Sequence, residues 1–280
     1  MINFPAICIA NGAAIMLLAI ILFNLKRSLR HGFFEEKIYY AMVILNILQC
    51  IFETTVFFAD GKLLYGYRTL SIVLNTALFI NNIILAYLWT IYSDYKLFTN
   101  MKRIRRIYPF MAIPAMIVII GSLINLTRPV FFVVDKYNVY QRTDLFNIPY
   151  AVTYFYLSYG LILIYLYRKK VHKYLFLPAI LFLIPIIIAS MLQFFFYGYS
   201  LVWLGVSIGM TALYISLQNE SAYVDALSGL FNRRYLNNIL LLHSTKGSTA
   251  STLAGILLDI DEFKSINDRF GHIVGDDAIS

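Results

Sequence analysis

The apolar positions of this chain fall into long, nearly unbroken runs, unlike the two-residue alternation of a half-buried strand or the one-sided stripe of a surface helix. Seven runs approach or reach the ~20 residues needed to cross a hydrocarbon core about 30 Å thick. They are Pro5–Leu25, Ile38–Phe58, Leu70–Tyr92, Ile107–Leu126, Ile148–Tyr167, Tyr174–Phe195 and Leu201–Leu217. The pattern predicts an α-helical polytopic membrane domain over residues 1–217, with seven transmembrane helices in contact with the lipid bilayer. Pro109, Pro114, Pro178 and Pro185 lie in or beside these runs. Proline is tolerated in a span when neighbouring groups satisfy the carbonyls it frees.

The pattern breaks after Leu217, and residues 218–280 read as ordinary soluble sequence, with a boundary near Gln218–Tyr223. Leu230, Phe231, Leu236, Ile239 and Leu240 recur at helical spacing and predict a helix over Ser228–Leu242. "HSTKGSTAS" reads as a loop. Thr252–Leu258 has the length and apolarity of a buried central strand, after which Asp261 is placed to cap a helix from about Glu262. Helix, loop, strand and helix make the opening of an α/β domain. From Asp225 to Ser280 the segment is shorter than the roughly 60 residues at which a domain already struggles to bury enough surface, and one strand leaves two edges unpaired. The expectation is a truncated domain: the front of a longer one, or a shortened gene product.

Composition supports the membrane reading. The chain is 60% hydrophobic and 14% charged, with a mean hydropathy of +0.71, against about half apolar and a quarter charged for soluble domains. The net charge of +8 is distributed with the topology. Lys26, Arg27, Arg30, Lys37, Lys96, Lys102, Arg103, Arg105, Arg106, Arg168, Lys169, Lys170 and Lys173 follow alternate spans, thirteen cations on one side; Lys62, Arg68, Arg128, Lys136 and Arg142 make five on the other. The positive-inside rule then gives a multi-pass protein of the cell (plasma) membrane, N-terminus outside and C-terminus cytoplasmic. Cations split among juxtamembrane loops face anionic lipid, which argues against nucleic acid as a partner. The start "MINFPAICIANG" lacks a basic n-region and reads as a retained helix. Cys8 and Cys50 have no CxxC or Cys/His company and read as small apolar packing residues.

The candidate chemistry lies in "LLDIDEFKSINDRFGHIVGDDAIS". Asp-x-Asp at a strand end directs both carboxylates to one side. Hard oxygen ligands suit Mg²⁺, which binds one or two carboxylates plus substrate phosphates. The amides that follow open a helix, where an anion is favoured, and Lys264 adds a point charge. On spacing alone this is either a capped helix after a strand or a nucleoside triphosphate site.

Asn267, Asp268, Gly271, His272, Gly275 and Asp276 extend the pattern to D-x-D-x-F-K-x-I-N-D-x-x-G-H-x-x-G-D, and "DALSGLFNRR" (Asp225–Arg234) precedes it with Ser228 where threonine is usual. With these two motifs in order, Asp225–Ser280 resembles the GGDEF family of diguanylate cyclases, transferases of signal transduction. The resemblance implies a nucleotidyl-cyclase/palm-like fold and a reaction joining two GTP into cyclic di-GMP with release of two pyrophosphates. It also implies Mg²⁺ (or Mn²⁺) as cofactor and a homodimer with one GTP per protomer.

Carried over by position, Asp259 binds the metal through its carboxylate and Ile260 through its carbonyl. The amides of Glu262 and Phe263 meet the β/γ-phosphates, and Lys264 the terminal phosphate. Asn267 and Asp276 bind the guanine edge. Glu262 stands where relatives often have an aromatic, so only its backbone role transfers, and Asp261 is expected to cap the helix. Asp225, Asn232 and Arg233 are read as structural or dimer-related. The G-G-[DE]-E-F hairpin is not among these residues, so no complete catalytic set is expected and this chain by itself is expected to be inactive.

The membrane part offers a second candidate. Asn46, Gln49 and Glu53 lie within roughly 60° of one another on a helix, and Asn75 and Asn82 share a face of the next. An ionisable residue inside a span suggests a site for an unknown small-molecule signal; the alternative is interhelical hydrogen bonding, worth about 0.6 kcal/mol per contact. The sequence thus predicts a membrane-anchored signalling protein of the diguanylate cyclase type. Rival readings are a non-catalytic seven-helix receptor with a degenerate GTP-binding remnant, and a transporter, for which paired inverted repeats are expected and not evident.

Overall fold

A computed structural model of the chain describes residues 3–28, 34–167, 173–196, 199–221, 223, 225, 227–228, 230–237, 240 and 255–279. The cations Arg30, Arg168, Lys169 and Lys170, the loop at 243–251, and the first part of the expected strand (252–254) lie outside the described residues. The chain divides into two compact units, Met1–Tyr214 and Ile215–Ser280.

The first unit is built from α1 (Phe4–Ser28), α2 (Phe34–Ala59), α3 (Tyr67–Phe98), α4 (Met101–Ile124), α5 (Asn147–Tyr167), α6 (Lys173–Phe195) and α7 (Val202–Ser221), whose last turns enter the second unit. Among the described residues, α1 to α5 contain stretches long and apolar enough to cross a membrane, while the corresponding apolar stretches of α6 and α7, Ile180–Gln193 and Val202–Gln218, are shorter. The helices outrun several of the apolar runs because polar contacts hold their ends. Lys96 Nζ pairs with Glu35 Oε2 at 3.1 Å, Arg103 Nε with the buried Asp94 at 2.9 Å, and Asn100 caps α4 by accepting from the Arg103 amide at 3.1 Å.

The long α3 packs against α2, α4 and α5. Its Phe79 stacks on Phe132 (5.7 Å, 6°) and meets Phe146 edge-on. Phe132 belongs to an antiparallel hairpin not anticipated from the sequence: β1 (Phe132–Val134) pairs with β2 (Tyr140–Arg142), Val133 opposite Gln141. The approach to this hairpin is fixed by the buried Asn125. Its Oδ1 accepts from the amides of Val130, Phe131 and Phe132 at 2.9, 2.7 and 3.2 Å, and its Nδ2 donates to the Phe132 carbonyl at 3.0 Å.

Pro114 sits inside α4, where the missing N–H and the ring disturb the ladder. Beside it Tyr156 of α5 inserts its hydroxyl, donating to the Met111 carbonyl at 2.6 Å and accepting from the Ala115 amide at 3.1 Å. That is how a neighbouring helix satisfies backbone groups near a proline in an apolar environment.

Helices α6 and α7 meet through small residues. A Cβ added at Gly205 would lie 2.7 Å from the Pro185 carbonyl oxygen, and one at Gly209 would collide with the Phe182 carbonyl oxygen. Gly205 and Gly209 are four apart, so one turn of α7 presents bare backbone to α6, the small-x-x-x-small device of helix contacts in lipid. Gly209→Val is expected to lower the thermal midpoint of the detergent-solubilised protein by the equivalent of about 1–3 kcal/mol. Gly12→Val, where a Cβ meets nothing within 4 Å, should leave it nearly unchanged.

Candidate functional site

In the second unit, α8 (Phe263–Phe270) and α9 (His272–Ile279) pack against each other. The segment Gly255–Ile260 carries the expected apolar run but makes no ladder, and Ile256, Leu257 and Leu258 are 86%, 96% and 87% exposed. The strand expected over Thr252–Leu258 is therefore not formed in its described part. A strand exists through its neighbour's backbone, and among the described residues of this unit none supplies an edge.

Asp259 ends this segment, exposed, its Oδ1 accepting from the Ile260 amide at 3.0 Å. Asp261 and Glu262 form a turn. Asp261 does not cap α8: the capping position is Glu262, in the left-handed region at φ 56°, ψ 22°, with no side-chain cap bond. The left-handed residue turns the chain into the helix by backbone conformation, at a cost of order 1–3 kcal/mol for a non-glycine. Such strain recurs where backbone amides must face a ligand.

The same turn sets two atoms assigned to ligands against each other. The Phe263 amide approaches the Ile260 carbonyl at 3.4 Å, the outer limit of a hydrogen bond. That one long bond is all that joins the two groups which the family resemblance expects to meet phosphate and metal. Lys264 and Asn267 follow on α8 at i and i+3, neighbours on one helix face, and Asp276 is exposed on α9. One exposed carboxylate and one carbonyl fit Mg²⁺, which keeps several waters and takes phosphate oxygens.

The placement of Asn267 depends on Gly275. Gly275 is buried, and a Cβ there would collide with the Asn267 side chain. At the joint between the helices Gly271 takes φ 83°, its amide bonding the Asn267 carbonyl at 2.9 Å. The glycines of G-H-x-x-G thus let α9 fold back until its backbone touches the Asn267 side chain. The motif alone placed Asn267 on the guanine without indicating this support.

The upstream motif is a folded turn. Asp225 Oδ1 accepts from the amides of Leu227 and Ser228 at 3.2 and 3.0 Å and from the Ser228 hydroxyl at 3.0 Å. Serine therefore keeps the donor that threonine would bring. Asn232 Oδ1 accepts from the amides of Arg234 and Tyr235 and starts the helical turn at 233–237, five residues after Ser228, where the sequence predicts the helix to begin. Asn238 to Leu242, except Leu240, lie outside the described residues.

The polar cluster of α2 is turned toward other helices. Glu53 accepts from Asn11 Nδ2 at 3.0 Å, Ser200 Oγ at 2.6 Å and Trp203 Nε1 at 3.1 Å. Asn46 Nδ2 donates to Ser207 Oγ at 2.9 Å. Gln49 accepts from Asn81 Nδ2 at 2.5 Å. Asn75 donates to the Ser71 carbonyl, and Asn82 to Thr153 Oγ1 at 3.2 Å. Partners on α1, α3 and α7, with Ser200 just before α7, take up part of this bonding, while Asn11 Oδ1 and Asn46 Oδ1 are buried without a partner among the described residues. Periodicity along one helix carries no information about partners so far apart along the chain.

Comparison with known proteins concerns the tail. Residues 222–280 match the family model described as diguanylate cyclase, GGDEF domain. The response regulator PleD of Caulobacter vibrioides is 43% identical over 63 residues, covering 21% of this chain and 13% of that protein. The diguanylate cyclase VdcA of Vibrio cholerae is 42% identical over 60 residues, 21% and 17% of the two chains, and the diguanylate cyclase DosC of Escherichia coli 33% over 70, 24% and 15%. The matched part thus spans less than a fifth of each of these relatives. No solved structure matches the chain.

The Ser228 amide, then its hydroxyl, then the Leu227 amide hold the Asp225 carboxyl below its usual range. For a depressed acid the stabilisation is present above the unfolded value of about 3.9 and is lost as pH falls through the lowered one. The Ser228 amide resonance is expected to stay at its bonded position from about pH 7 down to about 4 and to move only below that; Asp225→Asn should abolish the titration.

Proposed function

We propose, from the premise that residues 222–280 belong to the GGDEF domain of diguanylate cyclases, that this chain is a membrane-anchored signalling protein whose tail binds GTP for cyclic di-GMP synthesis. The match of residues 222–280 carries the reading, and the Asp259–turn–helix arrangement supports it. The thirteen-to-five cation imbalance supports a plasma-membrane protein with the tail in the cytoplasm, where GTP is at hand.

In this reading Asp259 and the Ile260 carbonyl hold Mg²⁺ or Mn²⁺, which when bound neutralises phosphate charge. The amides of Glu262 and Phe263 donate to the β/γ-phosphates at the positive end of α8, and Lys264 adds a charge-assisted bond to the terminal phosphate. Asn267, steadied by Gly275, and Asp276 read the guanine edge, and a base that leaves these groups unpaired is rejected. The reaction of the whole domain joins two GTP held by the two protomers of a homodimer. The G-G-[DE]-E-F hairpin is not among these residues, and the roles proposed for them are binding roles. α7 ends at Ser221 and the family match begins at residue 222, so the helix itself is the proposed connection between the two parts.

The test joins this chain in frame to the remainder of the Vibrio relative's GGDEF domain and measures cyclic di-GMP formed from GTP in vesicles. Asp259→Ala is expected to reduce turnover at least about a hundredfold. Asn267→Ala should lower kcat/KM for GTP roughly tenfold to a hundredfold. Turnover unchanged by Asp259→Ala overturns the assignment.

A further inference from the structure

The outward side of α4 begins with cations that the helical unit leaves unmatched. Ile104, Tyr108, Ala115, Val118 and Ser122 form the buried side of this helix. At about 3.6 residues per turn Ile113, Ile117 and Ile120 fall on the opposite side, and with the neighbouring Phe110 they are exposed. The same exposed stripe runs back to Lys102, Arg105 and Arg106. Lys102 stands three and four residues from the two arginines, close enough for one oxyanion to meet more than one of them.

The acids near this end of the unit have other partners. Asp94, the nearest along the chain, accepts from Arg103 Nε through both oxygens at 2.9 and 3.0 Å. Glu35 takes Lys96 Nζ at 3.2 and 3.1 Å. The side chains of Lys102, Arg105 and Arg106 make no hydrogen bond or ion pair among the described residues. Their place sharpens the imbalance, because α4 has no acidic residue in its first turn and a helix N-terminus already carries partial positive charge.

The missing counter-charge has to suit an apolar neighbour as well. The stripe turns wholly apolar within a turn of Arg106, so a soluble acidic partner on the cations leaves Phe110 and Ile113 uncovered. A phospholipid meets both halves: its phosphate suits the arginine forks and the lysine, and its chains suit the isoleucines. We infer that Lys102, Arg105 and Arg106 form a site for the headgroup of an anionic phospholipid whose acyl chains lie along Phe110, Ile113 and Ile117. The inference rests on the reading of the first unit as membrane-spanning. It requires neither GTP binding by the tail nor a particular orientation across the bilayer.

The test uses the full chain with Cys8→Ala and Cys50→Ala, and bimane attached at Ile113→Cys, about 10 Å along the helix from Arg106. Phosphatidylcholine nanodiscs receive a small fraction of lipid spin-labelled on its upper acyl chain, which quenches bimane on contact. Spin-labelled phosphatidylglycerol is expected to quench at roughly a tenth of the mole fraction that spin-labelled phosphatidylcholine needs, and unlabelled phosphatidylglycerol should reverse it. Lys102→Gln, Arg105→Gln and Arg106→Gln together should bring the two lipids within about twofold. Arg106→Gln alone should weaken the preference roughly threefold to fivefold, while Arg106→Lys keeps most of it. Bimane at Ile187→Cys, an exposed position on α6 with no Lys or Arg from 174 to 217, should be quenched alike by both.

Equal quenching by the two lipids at position 113 overturns the site, as does an equal preference at 187. A preference that survives Arg106→Gln undiminished, with the variant entering nanodiscs like the parent, overturns the assignment to these cations. A preference abolished by inorganic phosphate at constant ionic strength means that a free anion fills the site, and overturns the lipid. A parent chain that does not enter phosphatidylcholine nanodiscs contradicts the membrane reading itself, and the site with it.

Discussion

The helical unit is organised around the carboxylate of Glu53. It is half-buried near the end of the apolar α2, where an unpaired charge or a bare polar group is costly. The structure meets that constraint by bringing Asn11 from α1, Ser200 from just before α7 and Trp203 from its first turn to its oxygens. Once those bonds are required, the positions of α1 and α7 relative to α2 follow. The rest of the α2–α7 seam agrees with them: Asn46 bonds Ser207 and the Tyr39 hydroxyl donates to the Met210 carbonyl at 2.7 Å. Each bond alone is small; as a set they tie α7 to α2 at several points. By sequence, α7 continues into the second unit.

The second unit obeys a different economy. Its local structure is held by short-range devices: the Asp225 turn, the Asn232 cap, the left-handed Glu262 and the Gly275–Asn267 contact. Those devices need a handful of residues each and form without a large core. The apolar run at 256–258 needs a paired neighbour on either side and a sheet face to bury it, and among the described residues it has neither. The proposed site straddles the two kinds of order, with Lys264 and Asn267 on a formed helix and Asp259 at the end of the unpaired run.

What could be read from the sequence was local in origin. Long apolar runs mark helices because each backbone bond closes within the run, and each of α1 to α7 overlies one of those runs. The tail motifs were legible because a turn, a cap and a helix start are written in neighbouring residues. What required the structure joined distant residues: the hairpin of Phe132–Val134 with Tyr140–Arg142, the Tyr156 hydroxyl mending α4 near Pro114, and the partners of Glu53 from positions 11, 200 and 203. The Gly205–Gly209 spacing is visible in the sequence, but small residues four apart declare a contact without naming the other helix. Asp261 looked like a cap by residue type, but the backbone turned one residue later, at Glu262.

The account stands on the tail facing the cytosol while the hairpin end of the bundle faces out. The direct measurement replaces Cys8 and Cys50 by alanine, introduces Tyr65→Cys or Ser265→Cys, and labels intact cells with a membrane-impermeant maleimide. The prediction is labelling at position 65 in intact cells and at position 265 only after permeabilisation. Labelling at 265 in intact cells would put Asp259 on the wrong side of the bilayer for cytosolic GTP and contradict the account.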